Sequence, residues 1–145
     1  MNLTIFQKKM AEVNERVKAG ELEARKEIGA EIAYRIISRT PVDTGAARAN
    51  WNVGLQANDT DTSHEPDPTG QSAVTRAHEK LAVMTSNQTR IFITNALPYI
   101  NRLEHGHSDQ APNGMVQVTL AEFPDFAKAK LFARLGGKGG ALNKV

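Results

Sequence analysis

The sequence contains no cysteine among its 145 residues. This absence excludes disulfides, thiol nucleophiles, and zinc or iron–sulfur sites built on cysteine. Aromatic residues are also few, with five Phe, two Tyr and one Trp, so we expect a modest core. No apolar run approaches the ~20 residues of a transmembrane helix, and the first residues lack the apolar stretch of a signal peptide. We therefore expect a soluble, non-secreted protein without a membrane partner.

The chain also lacks a strong excess of charge of one sign, because its formal net charge is only +2. That value does not indicate a nucleic-acid partner. The distribution is more informative: residues 57–70 hold four acids and no Lys or Arg, whereas residues 128–145 hold five Lys or Arg residues and no acid. These two regions of opposite charge could pair between neighbouring copies of the chain.

Apolar residues recur at steps of three and four, which is typical of helices with one apolar face. They predict a helix over about 4–18 and a second helix that ends before Pro41, since the residue ahead of a proline avoids helical dihedrals. Whether the two join depends on Gly20. The same spacing predicts a long final helix from about residue 116, interrupted or bent near Pro124.

Alternation of apolar and polar residues predicts two strands, over 51–55 and 90–95. Between them we expect a mobile acidic loop at about 57–72, which is too polar to order itself, followed by a short helix. A second short helix is expected over about 98–106, with proline in its first turn and glycine at its end. The glycine-rich basic segment 136–145 reads as a flexible tail.

Asp43-Thr44-Gly45-Ala46 is the strongest enzymatic motif, because it is similar to the active-site loop of retroviral-type aspartic proteases. That chemistry needs two such loops whose carboxylates share one proton, which a homodimer could supply. Here, however, the loop follows a segment with helical spacing instead of an apolar strand. The alternative is a turn from helix to strand, in which the Asp43 side chain bonds the following backbone and Gly45 relieves a tight conformation.

Two other kinds of site are weakly indicated. Glu104, His105, His107 and Asp109 offer metal ligands within six residues, but no distant ligand of the expected kind accompanies them. The segment 136–140 resembles a phosphate loop but lacks the Ser or Thr after its lysine. We therefore predict no catalytic residue, no metal and no cofactor. The basic tail leaves open a third hypothesis, a DNA-binding accessory protein that contacts phosphates.

A longer set of motifs lies in the second half of the chain, downstream of Thr40-Pro41-Val42-Asp43-Thr44-Gly45 and Trp51. In order, these are Asn95-Ala96-Leu97-Pro98-Tyr99, Leu103-Glu104-x-Gly106-x-Ser108 and Gln110-Ala111-Pro112-x-Gly114-Met115-Val116. Together they resemble the neck or tail-completion family of tailed bacteriophages, which joins a DNA-filled head to a tail. The likeness covers about residues 38–123.

The resemblance implies a structural virion protein without catalysis, made in the host cytoplasm and located in the neck or tail. It implies assembly as a ring, commonly sixfold, that contacts a head-side connector and tail proteins. It also implies an α+β fold, in which an N-terminal helical segment and a C-terminal helix pack on a small, mainly antiparallel sheet. We expect one such domain over 1–135.

The residues that we single out for motif or interface roles are Asp43, Gly45, Trp51, Tyr99, Leu103, Glu104, Gly106, Gln110, Pro112 and Gly114. Trp51 is expected in the core and Tyr99 at an interface. Gly106 and Gly114 are expected to shape the backbone at helix ends. Glu104 lies in the last turn of a predicted helix, where a carboxylate opposes the helix dipole. It is therefore expected to have a cationic partner, with Arg48 or Arg102 as candidates.

Overall fold

A single long helix, α1 (Leu3–Arg39), begins the computed structural model, which describes residues 2–136. Asn2 caps its start, because the Asn2 side chain accepts a hydrogen bond of 2.9 Å from the backbone N–H of Ile5. The two predicted helices are thus one. Gly20 does not break the helix, since glycine in a helix interior costs only about 1 kcal/mol relative to alanine. The helix ends at Arg39, with Thr40 as its extended C-cap ahead of Pro41, as predicted.

The remaining elements of the described chain are four helices of 4 to 16 residues, two four-residue strands that form a small antiparallel sheet, and a π-helical turn. They confirm the α+β fold class. In chain order they are α2 (Ala46–Ala49), β1 (Asn52–Leu55), α3 (Gln71–Ala82), β2 (Ile91–Thr94), α4 (Ile100–Glu104) and α5 (Val116–Leu131), which a π-helical turn over Phe132–Gly136 extends. Helix α5 contains Pro124 without being divided there. No helix within residues 2–136 has the length and hydrophobicity needed to cross a lipid bilayer.

The two strands pair antiparallel, with Asn52 opposite Thr94 and Leu55 opposite Ile91. The core lies between this sheet, the second half of α1 and helix α3. Helix α1 approaches the sheet closely, because a Cβ atom on Gly29 would lie 2.9 Å from Cδ1 of Ile91. The buried core residues are Ala33, Ile36, Ile37, Trp51, Val53, Ala73, Ala77, Leu81, Met84, Ala111 and Met115.

A charged cluster joins α5 to α1. The carboxylate of Glu122 accepts hydrogen bonds from Arg39, at 2.6 Å, and from Arg35. Arg39 also donates to the Thr119 hydroxyl at 2.9 Å, and the Arg35 guanidinium lies 4.5 Å from the centre of the Phe126 ring. The hydrogen bonds from Arg39 and then Arg35 hold the pKa of Glu122 below its ordinary value. The cluster therefore fixes the C-terminal helix against α1.

Candidate functional site

The motif segments that are separated in the sequence meet in one cleft of about 460 Å³. One wall is the loop after α1 and the start of α2, and the other is α4 with the loop after it. Five of the residues singled out from the sequence line this cleft: Asp43, Gly45, Tyr99, Leu103 and Gln110. The structure thus brings together two motifs that lie about sixty residues apart in the chain.

Gln110 joins the two walls of the cleft. Its side-chain oxygen accepts a hydrogen bond of 2.8 Å from the backbone N–H of Val42. Its side-chain nitrogen donates one of 3.0 Å to the Val42 carbonyl. Because a primary amide carries one acceptor and two donors, a single glutamine can satisfy both backbone groups of the facing residue. Gln110 therefore fixes the Asp43 loop to the loop after α4.

Glu104 has a different partner from the predicted one. Its carboxylate accepts three hydrogen bonds of 2.9 Å from the backbone N–H groups of Met115, Val116 and Gln117. These are the free amides at the start of α5, where the helix dipole favours negative charge. The expectation of a cation from Arg48 or Arg102 was wrong, because the N-terminus of the next helix supplies the compensating partial charge.

Arg48, the other proposed partner of Glu104, binds backbone carbonyl groups instead. Its guanidinium donates to the carbonyl oxygens of Thr40 at 2.7 Å, Pro68 at 2.9 Å and Ser38 at 3.0 Å. Arg48 therefore connects the end of α1 to the segment that precedes α3.

Two glycines make room for these contacts. Gly114 has a φ of +82°, and a Cβ atom there would lie 2.5 Å from the backbone oxygen and 2.7 Å from a carboxylate oxygen of Glu104. Gly106 has a φ of +83°, and its Cβ would lie 2.6 Å from the carbonyl oxygen of Pro112. Both positions need the left-handed conformation and the missing side chain. Both glycines therefore allow the backbone to pack closely around Glu104 and Pro112.

The remaining predicted residues differ in exposure. Trp51 is buried and donates from its indole nitrogen to the Thr40 hydroxyl at 2.8 Å, at the end of α1. Tyr99 keeps 42% of its surface exposed beside the cleft. Asp43 is exposed, and within residues 2–136 its carboxylate has no hydrogen-bond or ion-pair partner. Its loop follows α1 instead of a strand.

The acidic segment contacts the body through residues that sequence reasoning did not single out. Asn50 and Asn52 are buried, and the Asn52 side chain donates to the Asp61 carbonyl at 2.7 Å. A ring nitrogen of His64 lies 2.9 Å from the side-chain oxygen of Asn52. The sequence did carry one sign of this contact, because Asn50 and Asn52 flank Trp51 in a segment predicted to pack on the core. Buried asparagines need hydrogen-bond partners, and here the acidic segment supplies them. These contacts do not test the predicted mobility of residues 57–72, which stays a prediction.

Asp67 ends the acidic segment as the acceptor for the start of α3. Its carboxylate accepts from the Thr69 hydroxyl at 2.6 Å and from the backbone N–H groups of Thr69 and Ser72, at 2.9 and 2.8 Å. These hydrogen bonds, the Thr69 hydroxyl first, hold the pKa of Asp67 far below its ordinary value. The ionised Asp67 carboxylate is thus held at the N-terminus of α3, where the helix dipole favours negative charge.

No group of three or more His, Cys, Asp or Glu side chains in the described part of the chain is arranged to hold a metal ion. Glu104, the first of the four candidate ligands, is directed to the amides of α5. The basic segment 136–145 lies outside the described residues except for Gly136. Comparison of the chain with protein-family models, with curated proteins and with solved structures gave no match.

Proposed function

We propose that this protein is a structural subunit of the neck of a tailed bacteriophage, which assembles as a ring at the junction of head and tail. The proposal depends on one observation, which is the exposure of apolar side chains along the first half of α1. No residue of this helix before Ala24 is buried, yet it carries Leu3, Phe6 and Met10 as exposed apolar side chains. A helix with an uncovered apolar face is typical of a surface that binds a partner.

The hydrogen bonds of the motif residues in and beside the cleft support a structural role for them. Glu104 and Gln110 bind backbone groups and thereby join segments of the chain. They are not arranged as a nucleophile with an adjacent base, which acyl or phosphoryl transfer would need. The motif therefore shapes the loops around Tyr99 and Asp43, which remain available for contact with a neighbouring subunit.

The sheet supports assembly as well. It has two strands. Strand β1 is mostly buried, whereas β2 is half-buried along its length and its outer edge has no strand partner among residues 2–136. Open edges and apolar helix faces are covered in assemblies. A ring needs heterologous contacts, in which one patch of each subunit binds a different patch of the next.

The proposal is tested by negative-stain imaging of the purified chain, with gold-labelled antibody on virions as the second measurement. We expect closed rings of uniform diameter, and gold at the junction between head and tail. Single chains at every concentration, or label confined to the capsid, would contradict the proposal. Substrate turnover that is lost in Asp43→Asn would replace it with the protease hypothesis.

A further inference from the structure

The loop between α1 and α2 holds Asp43 among neighbours whose polar groups are already engaged. Gln110 binds both backbone groups of Val42. The Thr44 hydroxyl accepts a hydrogen bond of 3.2 Å from the first amide of α2, and the Gly45 carbonyl oxygen accepts one of 3.2 Å from the end of the acidic segment. The carboxylate of Asp43 differs, because it has no hydrogen-bond or ion-pair partner among residues 2–136.

The turn itself does not account for this carboxylate. The sequence suggested a turn in which the Asp43 side chain bonds the following backbone, as Asp side chains in turns commonly do. In the structure, the Thr44 hydroxyl makes that bond to the amide of Ala46, and Asp43 does not. The Asp43 carboxylate therefore remains available as a charged acceptor for a ligand.

The loop is fixed on two sides, so the cleft that it lines is preformed. Gln110 joins it to the loop after α4. On its other side, the loop packs so closely against the segment before α3 that a Cβ atom on Gly45 would lie 2.3 Å from the backbone nitrogen of Pro68. A rigid site loses less conformational entropy on binding than a mobile one. The volume of about 460 Å³ also lies within the usual range for ligand sites.

The chemistry of the lining specifies the kind of group that fits. Among the described residues that line the cleft, Asp43 alone is charged. Tyr99 lies on the facing wall and keeps 42% of its surface exposed. Much of the remaining lining is aliphatic, namely Pro41, Val42, Ala46, Ala47 and Leu103. A carboxylate attracts a cation, the face of an aromatic ring does so too, and an aliphatic wall packs against an alkyl chain.

An arginine side chain combines these properties better than a lysine side chain. The planar guanidinium can donate two parallel hydrogen bonds to one carboxylate and can also stack on an aromatic ring. The ammonium of lysine is more strongly hydrated and lacks this planar fork, so it loses more on leaving water. Arginine is also enriched in protein interfaces, whereas lysine is depleted.

We infer that the cleft binds an arginine side chain of a partner protein, with the guanidinium held between Asp43 and Tyr99. The inference goes beyond the proposed function, because a single chain would bind such a side chain whether or not it forms a ring.

The test measures the binding of two short peptides by saturation-transfer difference NMR, which detects weak ligands of both small and large proteins. One peptide is a blocked glycine–arginine–glycine, and the other carries citrulline, which has nearly the shape of arginine but no charge. The original chain is compared with Asp43→Asn, which removes only the charge. The matched control is Asp109→Asn, because Asp109 is exposed in the loop after α4 and does not line the cleft.

We expect the citrulline peptide to bind the original chain about fivefold more weakly than the arginine peptide, which is the upper end for an exposed ion pair. Asp43→Asn should weaken the arginine peptide by the same factor and remove the difference between the two peptides. Asp109→Asn should leave both affinities unchanged. Tyr99→Leu should weaken both peptides but retain the preference for the charged one. Circular dichroism verifies that each variant is folded.

Several results would overturn the inference. These are equal binding of the two peptides, binding of the arginine peptide that Asp43→Asn leaves unchanged, and no saturation transfer at the solubility limit of the peptide. A lysine peptide that binds as tightly as the arginine peptide would overturn the choice of arginine. Mass spectrometry should recover the peptide intact, since cleavage that is lost in Asp43→Asn would assign this carboxylate to the protease hypothesis instead.

Failure of this inference and failure of the proposed function are distinguishable. Rings formed by a chain that does not bind the arginine peptide would leave the proposed function standing and overturn the inference. Charge-dependent binding at Asp43 by a chain that remains single would support the inference and contradict the ring.

Discussion

The strongest prediction concerns Glu104, whose carboxylate accepts three backbone hydrogen bonds at the start of α5. In Glu104→Ala these three amides lose their acceptor, and the N-terminus of a 16-residue helix loses its compensating charge. Replacing a helix N-cap by alanine costs about 1 kcal/mol, and a hydrogen bond to a charged group contributes about 1.5–3 kcal/mol. Because exposed amides can bind water instead, we expect a loss of about 2–3 kcal/mol in the free energy of unfolding.

The assay is urea unfolding followed by circular dichroism, with Glu79→Ala as the matched control. Glu79 is an exposed glutamate on α3, and such surface substitutions usually change stability by less than about 0.5 kcal/mol. Glu104→Gln should fall between the two, because its amide keeps an acceptor but loses the charge. A Glu104→Ala chain as stable as the Glu79→Ala control would refute the role that we assign to this carboxylate.

The contacts of Gln110, Asp67 and Trp51 give three further predictions. In Gln110→Leu, the Val42 amide loses its acceptor, so its hydrogen exchange should accelerate about tenfold or more, which corresponds to the roughly 1.4 kcal/mol of one hydrogen bond. An unchanged rate would contradict the role of Gln110 in joining the two loops. In Asp67→Asn, the Tm should fall at pH 7. Since the pKa of Asp67 is lowered in the folded state, its stabilising effect is fully present above the ordinary carboxyl pKa. The difference from the original chain should therefore begin to shrink as the pH falls below about 4, and it should vanish only when the pH reaches the lowered pKa of the folded state. Trp51→Phe should lower the free energy of unfolding by about 2 kcal/mol, through the lost contact with Thr40 and the vacated volume, and a loss below about 0.5 kcal/mol in the same urea assay would be inconsistent with its buried position.

Local patterns were sufficient to predict most elements. Helical spacing identified α1 and α5, and alternation identified both strands, because these signals arise from neighbours in the chain. The join at Gly20 could not be decided locally, since the cost of one glycine is small compared with the stability of the turns on either side.

The partners of the site residues could not be predicted in the same way. Glu104 binds amides that lie eleven to thirteen residues further along, and Gln110 binds a residue sixty-eight positions earlier. Such contacts depend on tertiary packing, which cannot be predicted from secondary-structure propensity or from the spacing of apolar residues. Five of the residues singled out from the motifs, Gln110 among them, nevertheless line one cleft, whereas Glu104 lies outside its lining.

The proposal that this chain acts by binding copies of itself can be tested by native mass spectrometry of the purified protein. Assembly as a ring predicts a dominant species of several chains, with six times the 15.8 kDa chain mass as the expected value. It also predicts that this species dissociates when Phe6 and Met10 are replaced by glutamine. A spectrum that contains only the 15.8 kDa chain, at concentrations up to the solubility limit, would contradict it.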